Sequence, residues 1–517
     1  MPAKRKPKPD PKLAKALAAL KKLQDKQSGI VESGDLAEEH RALLVDVGLL
    51  RPVMKGWYFC ANPNDDPGDS TAWYASFWAF VAVYLRKRFG KRYCLSPDAS
   101  LRLHTGNTAV PSQVIVTAKE GGTLKLDLPF GTSLLIYKNE QSVVKSRMAV
   151  RGTQVLPVPE ALCRATPSYF QRSPLDAQVA LKLVRDVSEL LAVLLAEPGA
   201  RAAAGRLAGA LRFVGRAAEA DRLVATMKRA GTPVRERNPF EVEAPVLSLS
   251  RERSPYVLRL AAMWEQWRDD VIAVFPAPPG RPKDAGTYLA QVQERYNEDA
   301  YNSLSIEGYQ VTDALIERVA AQGWNPERDS IDRKDRDALA ARGYHQAFQA
   351  VKESLGRIIA GANPGVTARV DHHAWHRELF GPAVTAGIVN AAQLAGYRNG
   401  PVFIRNSMHT PLPREAVLDG MDKFFDLLTA ETHAGVRAVL GHHLFVFIHP
   451  YFDGNGRLGR FLMNAMMASG GYPWTVVRHK FRTEYMATLE TASVNGDIRP
   501  FAQFLAHEMA QPPSKSS

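Results

Sequence analysis

Apolar side chains recur every three or four positions along most of this chain, which is the spacing of an amphipathic helix. The pattern covers residues 12–27, 71–89 and 176–230, and it resumes at Val257 and continues with short interruptions towards the C-terminus. Residues 112–139 differ, because apolar and polar side chains alternate there around a Gly-Gly turn, as in paired strands. The pattern predicts a mostly α-helical protein with a small α+β region in its N-terminal part.

Residues 28–60 predict a small module of their own. Two short helical segments precede a strand–turn–strand pattern, with the turn at Lys55-Gly56 and aromatic side chains in the second strand. Helices followed by such a hairpin are similar to a winged helix, and residues 28–165 as a whole resemble the N-terminal domains of AbiEi-type antitoxins. Basic charge beside such a module indicates contact with DNA, which we expect through residues 1–60.

Two breaks in the helical pattern indicate domain boundaries. Residues 231–255 contain Pro and Arg without apolar periodicity, and residues 276–286 read PAPPGRPKDAG. The predicted division is a basic arm and helix at 1–27, a winged-helix-like module at 28–60, a small α/β region at 61–165, a helical region at 166–240 and a helical C-terminal domain at 257–505.

Net charge and the placement of the cysteines indicate which partners and which cellular compartment to expect. The net charge is +13, and part of it is local, since residues 1–26 are rich in Lys and Arg and favour a polyanionic partner. Three cysteines stand far apart, so we expect a reducing, cytoplasmic compartment and no disulfide framework. No apolar run approaches the ~20 residues of a membrane span, and the N-terminus lacks the apolar core of a secretory signal, so we expect no membrane partner.

The most specific chemistry in the chain lies in residues 449–460, HPYFDGNGRLGR. Gly454 and Gly456 let main-chain N–H groups approach an anion closely, and the helical pattern that follows puts this turn at a helix N-terminus, where the dipole favours phosphate. Arg457 and Arg460 are three positions apart and share a face of that helix, so they can bracket a phosphate chain. The segment predicts a polyphosphate-binding site.

The same twelve residues resemble the signature of the Fic family, H-P-F-x-(D/E)-G-N-G-R-x-x-R. Tyr451 stands where the family usually has Phe, and because the ring is kept we expect little effect. The resemblance implies an all-helical Fic fold with a β-hairpin flap. It also implies a protein adenylyltransferase, an enzyme that moves AMP from ATP to a Ser, Thr or Tyr hydroxyl of a protein.

The resemblance gives each signature residue a role. His449 would take the proton from the acceptor hydroxyl, and Asp453 would hold a Mg²⁺ ion shared with the phosphates of ATP. The phosphate-binding residues would be Gly454, Asn455, Gly456, Arg457 and Arg460. Most of the catalysis implied is positioning and electrostatic stabilisation.

Residues 303–308, SLSIEG, resemble the inhibitory-helix motif of many Fic proteins, (S/T)-x-x-x-E-(G/N). Its fixed positions are Ser303, Glu307 and Gly308. In the family the glutamate pairs with the second signature arginine, here Arg460. The resemblance implies that Glu307 takes the cation which the γ-phosphate needs and repels the nucleotide by its like charge.

Residues 396–412, GYRNGPVFIRNSMHTPL, resemble the stretch that carries the Fic flap. Val402, Phe403 and Ile404 favour a strand, and Pro411 and Pro413 suit its end. In the family this edge pairs with the main chain of the target protein, which is recognition by strand addition. An ordinary surface hairpin is the alternative.

Several histidines carry no recognisable metal motif. His372, His373 and His376 lie on one predicted helix, and His442 and His443 precede the signature. Spacing of three or four residues can suit Zn²⁺. Because no HExxH pattern and no nearby cysteine accompanies them, we interpret them as ordinary surface or core histidines.

Other functions remain open at this point. UMP or GMP could replace AMP, and Glu307 could orient a water molecule for the removal of AMP from a modified protein. The chain could also be a DNA-binding regulator whose Fic-like half is idle or modifies the chain itself. The sequence leaves open whether the protein is a homodimer.

Overall fold

The computed structural model describes residues 11–27, 29–66, 68–140, 143, 145–197, 200–240, 254–321, 336–390, 394 and 396–512. The chain divides into two compact units, Met1–Val246 with Phe403–Thr410, and Leu247–Val402 with Pro411–Ser517. The first ten residues of the predicted basic arm and most of the predicted break at 231–255 lie outside the described residues. The prediction of a mostly helical fold is confirmed, and every strand of the described residues lies in the first unit.

The first unit begins with a helix and a three-stranded sheet. Its elements are α1 (Pro11–Gln27), β1 (Ile30–Glu32), α2 (Glu38–Asp46), β2 (Leu50–Met54) and β3 (Trp57–Cys60). The sheet is antiparallel with the order β1-β3-β2. Gly56 connects β2 to β3 with a φ of 84°, which glycine adopts at little cost. The predicted hairpin with its turn at Lys55-Gly56 is confirmed.

A four-stranded sheet follows, packed against the aromatic helix α3 (Thr71–Phe89). Its strands are β4 (Tyr93–Leu95), β5 (Gln113–Ala118), β6 (Leu124–Asp127) and β7 (Ser133–Lys138). The order is β4-β5-β7-β6, with β5 and β7 parallel and the other neighbours antiparallel. Trp73, Phe77 and Phe80 are fully buried in the core under this sheet. The strands predicted within 112–139 are confirmed.

The remainder of the first unit is a short hairpin and a group of helices. These elements are α4 (Pro97–His104), β8 (Met148–Val150), β9 (Thr153–Val155), α5 (Val158–Arg164), α6 (Pro167–Arg172), α7 (Pro174–Leu183), α8 (Val187–Ala196), α9 (Arg201–Phe213) and α10 (Ala217–Arg229). A side chain at Gly205 or Gly209 of α9 would overlap the main chain of Arg235 or Arg237. Small residues on α9 therefore let the chain that follows α10 lie directly against it.

The predicted β-hairpin flap is wrong, because residues 401–413 contain no strand. Three prolines in this stretch, Pro401, Pro411 and Pro413, have no N–H to donate to a neighbouring strand. Asn406 adopts left-handed backbone with a φ of 56°, which bends the segment at its middle. The β-branched and aromatic side chains favoured a strand, but the backbone here cannot keep the regular pairing that a hairpin needs.

Phe403–Thr410 is instead an irregular segment of the first unit. The N–H of Val110 donates to the carbonyl of Met408 at 2.8 Å, and His409 forms an isolated bridge with Ala109. Arg405 donates to the carboxylate of Asp69 at 3.0 Å. Main-chain groups that a hairpin would have satisfied are bonded in this way to residues far away in the sequence.

The second unit is helical throughout its described residues. Its helices are α11 (Pro255–Val274), α12 (Ala285–Glu294), α13 (Tyr296–Ile306), α14 (Asp313–Ala320), α15 (Arg336–Ile359), α16 (Pro364–Thr385), α17 (Arg414–Ala430), α18 (Ala434–Ile448), α19 (Asn455–Ala468), α20 (Arg482–Glu490) and α21 (Arg499–Met509). Almost all residues of α18 and α19 are buried, and the two pack against each other. Among the described helices of both units, none is long and apolar enough to cross a bilayer.

Helices α15 and α16 cross with their backbones in direct contact. At Gly343 of α15 an added Cβ would overlap the carbonyl oxygen of Leu379 on α16. Only glycine therefore permits this approach, and α16 in turn packs against α19. On the same helix, an added Cβ at Gly356 would lie 3.8 Å from Leu289 Cδ1, an ordinary contact distance.

We expect Gly343→Ala to lower the free energy of unfolding by about 1–3 kcal/mol, since it overpacks a helix crossing made by the backbone. Gly356→Ala is the matched control, and it should be neutral or stabilising by up to about 1 kcal/mol, because alanine favours helix. Chemical denaturation of both variants measures the difference. Equal stabilities for the two variants would contradict the crossing described here.

Candidate active site

The loop between α18 and α19 places the predicted site residues. His449 ends α18 in left-handed backbone (φ 55°), and Gly454 precedes α19 in the same region (φ 87°). The N–H of Tyr451 donates to Asn455 Oδ1 at 3.0 Å, and Asn455 Nδ2 donates to the carbonyl of Tyr451 at 2.8 Å, which closes the loop. A side chain at Gly454 would clash with Phe380 of α16. The loop sits at the N-terminus of α19, where the first main-chain N–H groups have no partner within the helix and favour an anion.

The imidazole of His449 is arranged as a proton acceptor. Its Nδ1 lies 3.2 Å from the carbonyl of Val446, which can only accept, so Nδ1 carries the proton and Nε2 carries the lone pair. Burial lowers the pKa of His449 to about 4. The ring is consequently neutral at physiological pH, the form that a general base requires.

Arg460 is buried and faces α13. Its Nε donates to Ser303 Oγ at 2.9 Å, and its Nη2 donates to the carbonyl of Ser303 at 3.0 Å and to Glu307 Oε1 at 2.8 Å. Only 3% of the Arg460 side chain is exposed. The pairing of Glu307 with Arg460, expected from the SLSIEG motif, is present in the structure.

The Glu307 carboxylate also lies against the first turn of α19. A Cβ added at Gly456 would clash with Glu307 Oε1, so the carboxylate occupies the space next to that glycine. Burial alone would raise the pKa of Glu307, but the charges of Arg460 and Arg457 outweigh it and lower the pKa. A negative charge therefore stands at the helix N-terminus where phosphate oxygens were expected. Gly308 follows α13 with a φ of 85°.

Arg457 is held between two aromatic rings. Its guanidinium lies 5.3 Å from the ring centre of Tyr309 and 5.1 Å from that of Phe380. Its Nη2 donates to Asp453 Oδ1 at 3.3 Å, while its buried Nε has no hydrogen-bond partner among the described residues. This arrangement leaves donor capacity for an incoming anion.

Asp453 is the predicted magnesium ligand, and its carboxylate is 65% exposed. Its Oδ1 accepts from the N–H of Gly454 at 2.6 Å. No group of three potential metal-binding side chains exists within the described ranges. A single carboxylate beside a phosphate site nevertheless fits Mg²⁺, which usually takes one or two carboxylates and completes its shell with phosphate oxygens and water.

Helix α16 supplies contacts to this loop that the sequence did not identify. The Tyr451 hydroxyl hydrogen-bonds with His373 Nδ1 at 2.7 Å, and its ring stacks on His376 at 3.8 Å between ring centres. His376 Nε2 lies 3.3 Å from the carbonyl of Asp453. Tyr451 therefore makes a hydrogen bond to His373 that Phe, which has no hydroxyl, could not make. The only signal in the sequence was the spacing of the histidines along one helix.

Comparison with known proteins identifies this arrangement. Residues 370–467 match the Fic/DOC family, and they include most of α16, all of α17 and α18, the loop and nearly all of α19. These residues form a Fic domain. The recognition of Fic-like residues from the sequence is therefore confirmed, and the predicted inhibitory segment at 303–308 lies before the matched part of the Fic domain.

Curated relatives with a Fic domain cover less than half of this chain. The protein adenylyltransferase Fic of Nematostella vectensis is 30% identical over 223 residues, which are 42% of this chain and 47% of the relative. Protein adenylyltransferase fic-1 of Caenorhabditis elegans is 33% identical over 137 residues, 25% of each chain. The chain thus spans about half the length, or less, of these relatives.

Solved structures of Fic proteins are also similar to this chain. A Fic-1 fragment from C. elegans has 19% identity and a TM-score of 0.36, over 66% of this chain and 96% of that one. A Fic-domain signalling protein from Bacteroides thetaiotaomicron has 18% identity and a TM-score of 0.32, over 48% of this chain and 93% of that one.

Three buried histidines and the half-buried His449, all within residues 370–467, predict a loss of stability in mild acid. Burial lowers the pKa of His372 to about 3 and the pKa values of His376, His442 and His449 to about 4. In the unfolded chain they titrate near about 6.5, so between about pH 6.5 and 4 the unfolded state binds more protons and folding weakens as the pH falls. Asp299 acts in the opposite direction, because burial raises its pKa to about 6.

We expect the midpoint of thermal unfolding to fall by about 5 °C or more from pH 7.5 to pH 5.0, since the four histidines outweigh Asp299 and the two other aspartates whose pKa burial raises, Asp98 and Asp270. Replacing the fully buried His442 with Asn should flatten this pH dependence, whatever it does to the midpoint at pH 7.5. A midpoint that stays constant or rises over this range would contradict the neutral state assigned to the four rings.

Proposed function

We propose that this protein is a Fic-type adenylyltransferase that moves AMP from ATP to a Ser, Thr or Tyr hydroxyl of a protein. The observation that carries the proposal is the neutral His449, with its unprotonated Nε2, at the end of a loop whose other end is a glycine-rich helix N-terminus with two buried arginines. Curated relatives named protein adenylyltransferase support the same activity.

In this mechanism His449 Nε2 takes the proton of the acceptor hydroxyl, and the oxygen attacks the α-phosphorus of ATP. The bond from that phosphorus to the bridging oxygen of the β-phosphate breaks, so pyrophosphate leaves with the electron pair. Main-chain N–H groups of Asn455 and Gly456 stabilise the negative charge that builds on the phosphates, and Gly454, whose own N–H is bonded to Asp453, supplies the left-handed turn before them. Mg²⁺ held by Asp453 together with the phosphates would neutralise further charge.

Glu307 would keep this enzyme poorly active. Its carboxylate is bonded to Arg460 at 2.8 Å and lies next to Gly456, so a γ-phosphate approaching Arg460 meets a like charge in a buried site. Repulsion of this kind disfavours the nucleotide geometry needed for transfer, and moving or removing the carboxylate would relieve it. The inhibition is thus a competition between two anions for one guanidinium.

We expect Glu307→Gly to raise incorporation of label from α-³²P-ATP into protein by about tenfold or more, because a change of only 1.4 kcal/mol already gives that factor. Glu317→Gly on α14 is the matched control, since Glu317 is exposed and the same change there leaves Arg460 untouched. Adding His449→Ala to Glu307→Gly should reduce labelling by about 10²–10⁴-fold, as expected for loss of a general base.

Two results would contradict parts of this proposal. Equal and feeble labelling of the wild type and Glu307→Gly would remove the inhibitory role of Glu307. A Glu307→Gly variant that loses the ability to release AMP from a labelled protein, while the wild type retains it, would favour the removal reaction instead. Intact-mass spectrometry distinguishes transfer of AMP from transfer of UMP or GMP.

A second candidate function is binding to DNA through the N-terminal module. The supporting observation is that Lys12, Lys15, Lys21 and Lys22 are all exposed on α1. Helix α2 argues the other way, because its exposed first turn carries Glu38 and Glu39, which phosphates repel. We therefore propose that any DNA contact is made by α1 through the phosphate backbone.

Replacing all four exposed lysines of α1 with Gln should weaken binding to duplex DNA and reduce the slope of log affinity against log salt by about 3–4. Fluorescence anisotropy with labelled DNA at several salt concentrations measures both. His449→Ala serves as the control, and it should bind DNA like the wild type. An unchanged slope in the lysine variant would exclude α1 as the contact.

A further inference from the structure

Arg398 is a buried cation with no part in the mechanism above. Its side chain is in the second unit, and the residue is 3% exposed. Burial lowers its pKa to about 10, which leaves the guanidinium charged at neutral pH. A charge in this position needs strong partners, since an unpaired buried cation is costly.

The partners of Arg398 are four main-chain carbonyls from three stretches of chain. Its Nε donates to His449 O at 2.7 Å, and its Nη2 donates to Ile448 O at 3.3 Å and to Leu412 O. Its Nη1 donates to Gly400 O at 2.9 Å. All three nitrogens of the guanidinium donate to these carbonyls, and the single nitrogen of a lysine could not reach all four oxygens.

Two of these carbonyls belong to the C-terminal end of α18. Carbonyls in the last turn of a helix have no partner within it, and they carry the negative end of the helix dipole. Arg398 satisfies Ile448 O and His449 O at the point where His449 turns into left-handed backbone. The N–H of Arg398 also donates to the carbonyl of Pro450 at 2.9 Å. The backbone on both sides of the His449 imidazole is thereby fixed.

The other two carbonyls flank residues 401–411. Gly400 precedes this stretch and Leu412 follows it, so one guanidinium joins both of its ends to the residue that carries the base. This stretch includes the segment that resembles the target-binding flap of Fic proteins. Although it forms no hairpin, its two ends are tied together by Arg398.

We propose that Arg398 is a positioning residue that holds the base and the chain at Gly400 and Leu412 in one fixed arrangement. The inference rests on the proposed function, because it assumes that a protein hydroxyl docks beside His449. It assigns Arg398 to the alignment of the acceptor and to no part of ATP binding. The nucleotide would instead meet Gly454, Arg457 and Arg460, and no hydrogen bond or ion pair in the described residues joins Arg398 to any of them.

The test uses the full chain with Glu307→Gly as the parent. We expect Arg398→Lys to lower the rate of label transfer to protein by about 100-fold, since small misplacements of reacting groups have effects of that size. Its affinity for a non-hydrolysable ATP analogue should stay within about threefold of the parent, because uniform binding is untouched. Arg414→Lys is the matched control, since Arg414 is exposed and, among the described residues, its side chain donates to Asn399 O at 3.4 Å.

The pH profile separates positioning from general damage. After burial, the charge of Arg398 helps to lower the pKa of His449, so Arg398→Gln should move the acidic limb of the transfer rate to higher pH. Arg398→Lys keeps the charge and should leave the limb where it is. A purely structural role would reduce the rate without this difference between the two variants.

The results that would overturn the role of Arg398 differ from those that would overturn the proposed function. If the parent transfers no label, the adenylyltransferase proposal fails whatever Arg398 does. If the parent transfers label and Arg398→Lys transfers it equally well, the positioning role is overturned. Loss of analogue binding in step with loss of transfer would also overturn it, since Arg398 would then support the nucleotide site or the fold in general.

Discussion

Two left-handed residues between a pair of buried helices hold the candidate site together. His449 and Gly454 reverse the chain from α18 into α19, and only the second of them is a glycine. A non-glycine residue in this region is unfavourable by itself, so the surrounding contacts must outweigh the strain. The carbonyl of His449 is held by Arg398, its N–H by the preceding helical turn and its Nδ1 by Val446. The strained residue is thus the one whose imidazole must point in a single direction.

The second requirement is an anion for two buried guanidiniums. Arg457 and Arg460 are each 2% exposed, and taking such charges out of water is costly unless opposite charge or hydrogen bonds replace the solvent. In this structure Glu307 supplies that charge to Arg460, and Ser303 supplies two further acceptors. In the described residues, Arg457 has Asp453 at 3.3 Å and two aromatic rings. Arg457 Nε and Arg460 Nη1 are buried without a hydrogen-bond partner there, so both guanidiniums keep unused donors, and the proposed binding of a polyphosphate would use them.

The parts of the site that could be predicted from the sequence are those whose geometry is set by residues close together in the chain. Gly454 to Arg460 form a turn and one helical face, so their relation follows from helical geometry alone, and the Lys55-Gly56 hairpin follows in the same way from turn chemistry. The flap failed for the opposite reason. Val402 to Ile404 have the side chains of a strand, but whether they form one depends on the backbone around them, where prolines and Asn406 intervene and distant residues such as Val110 provide the hydrogen bonds. The contacts of His373 and His376 with the loop, and those of Arg398 with Ile448 and His449, were missed because the partners lie 50 or more residues away along the chain.

The long-range contacts divide the loop into two parts that are held independently. Helix α16 supports the phosphate side through His376 on the carbonyl of Asp453 and Phe380 beneath Gly454, while Arg398 supports the base side through Ile448 and His449. If the loop were anchored at one end only, either the imidazole or the phosphate-binding turn would be free to move. The proposed reaction needs the two at a fixed separation, and two anchors from different elements set it. The proposed inhibition requires that the carboxylate of Glu307 enter or leave the phosphate-binding turn while the imidazole keeps its orientation, and two separate anchors meet that requirement.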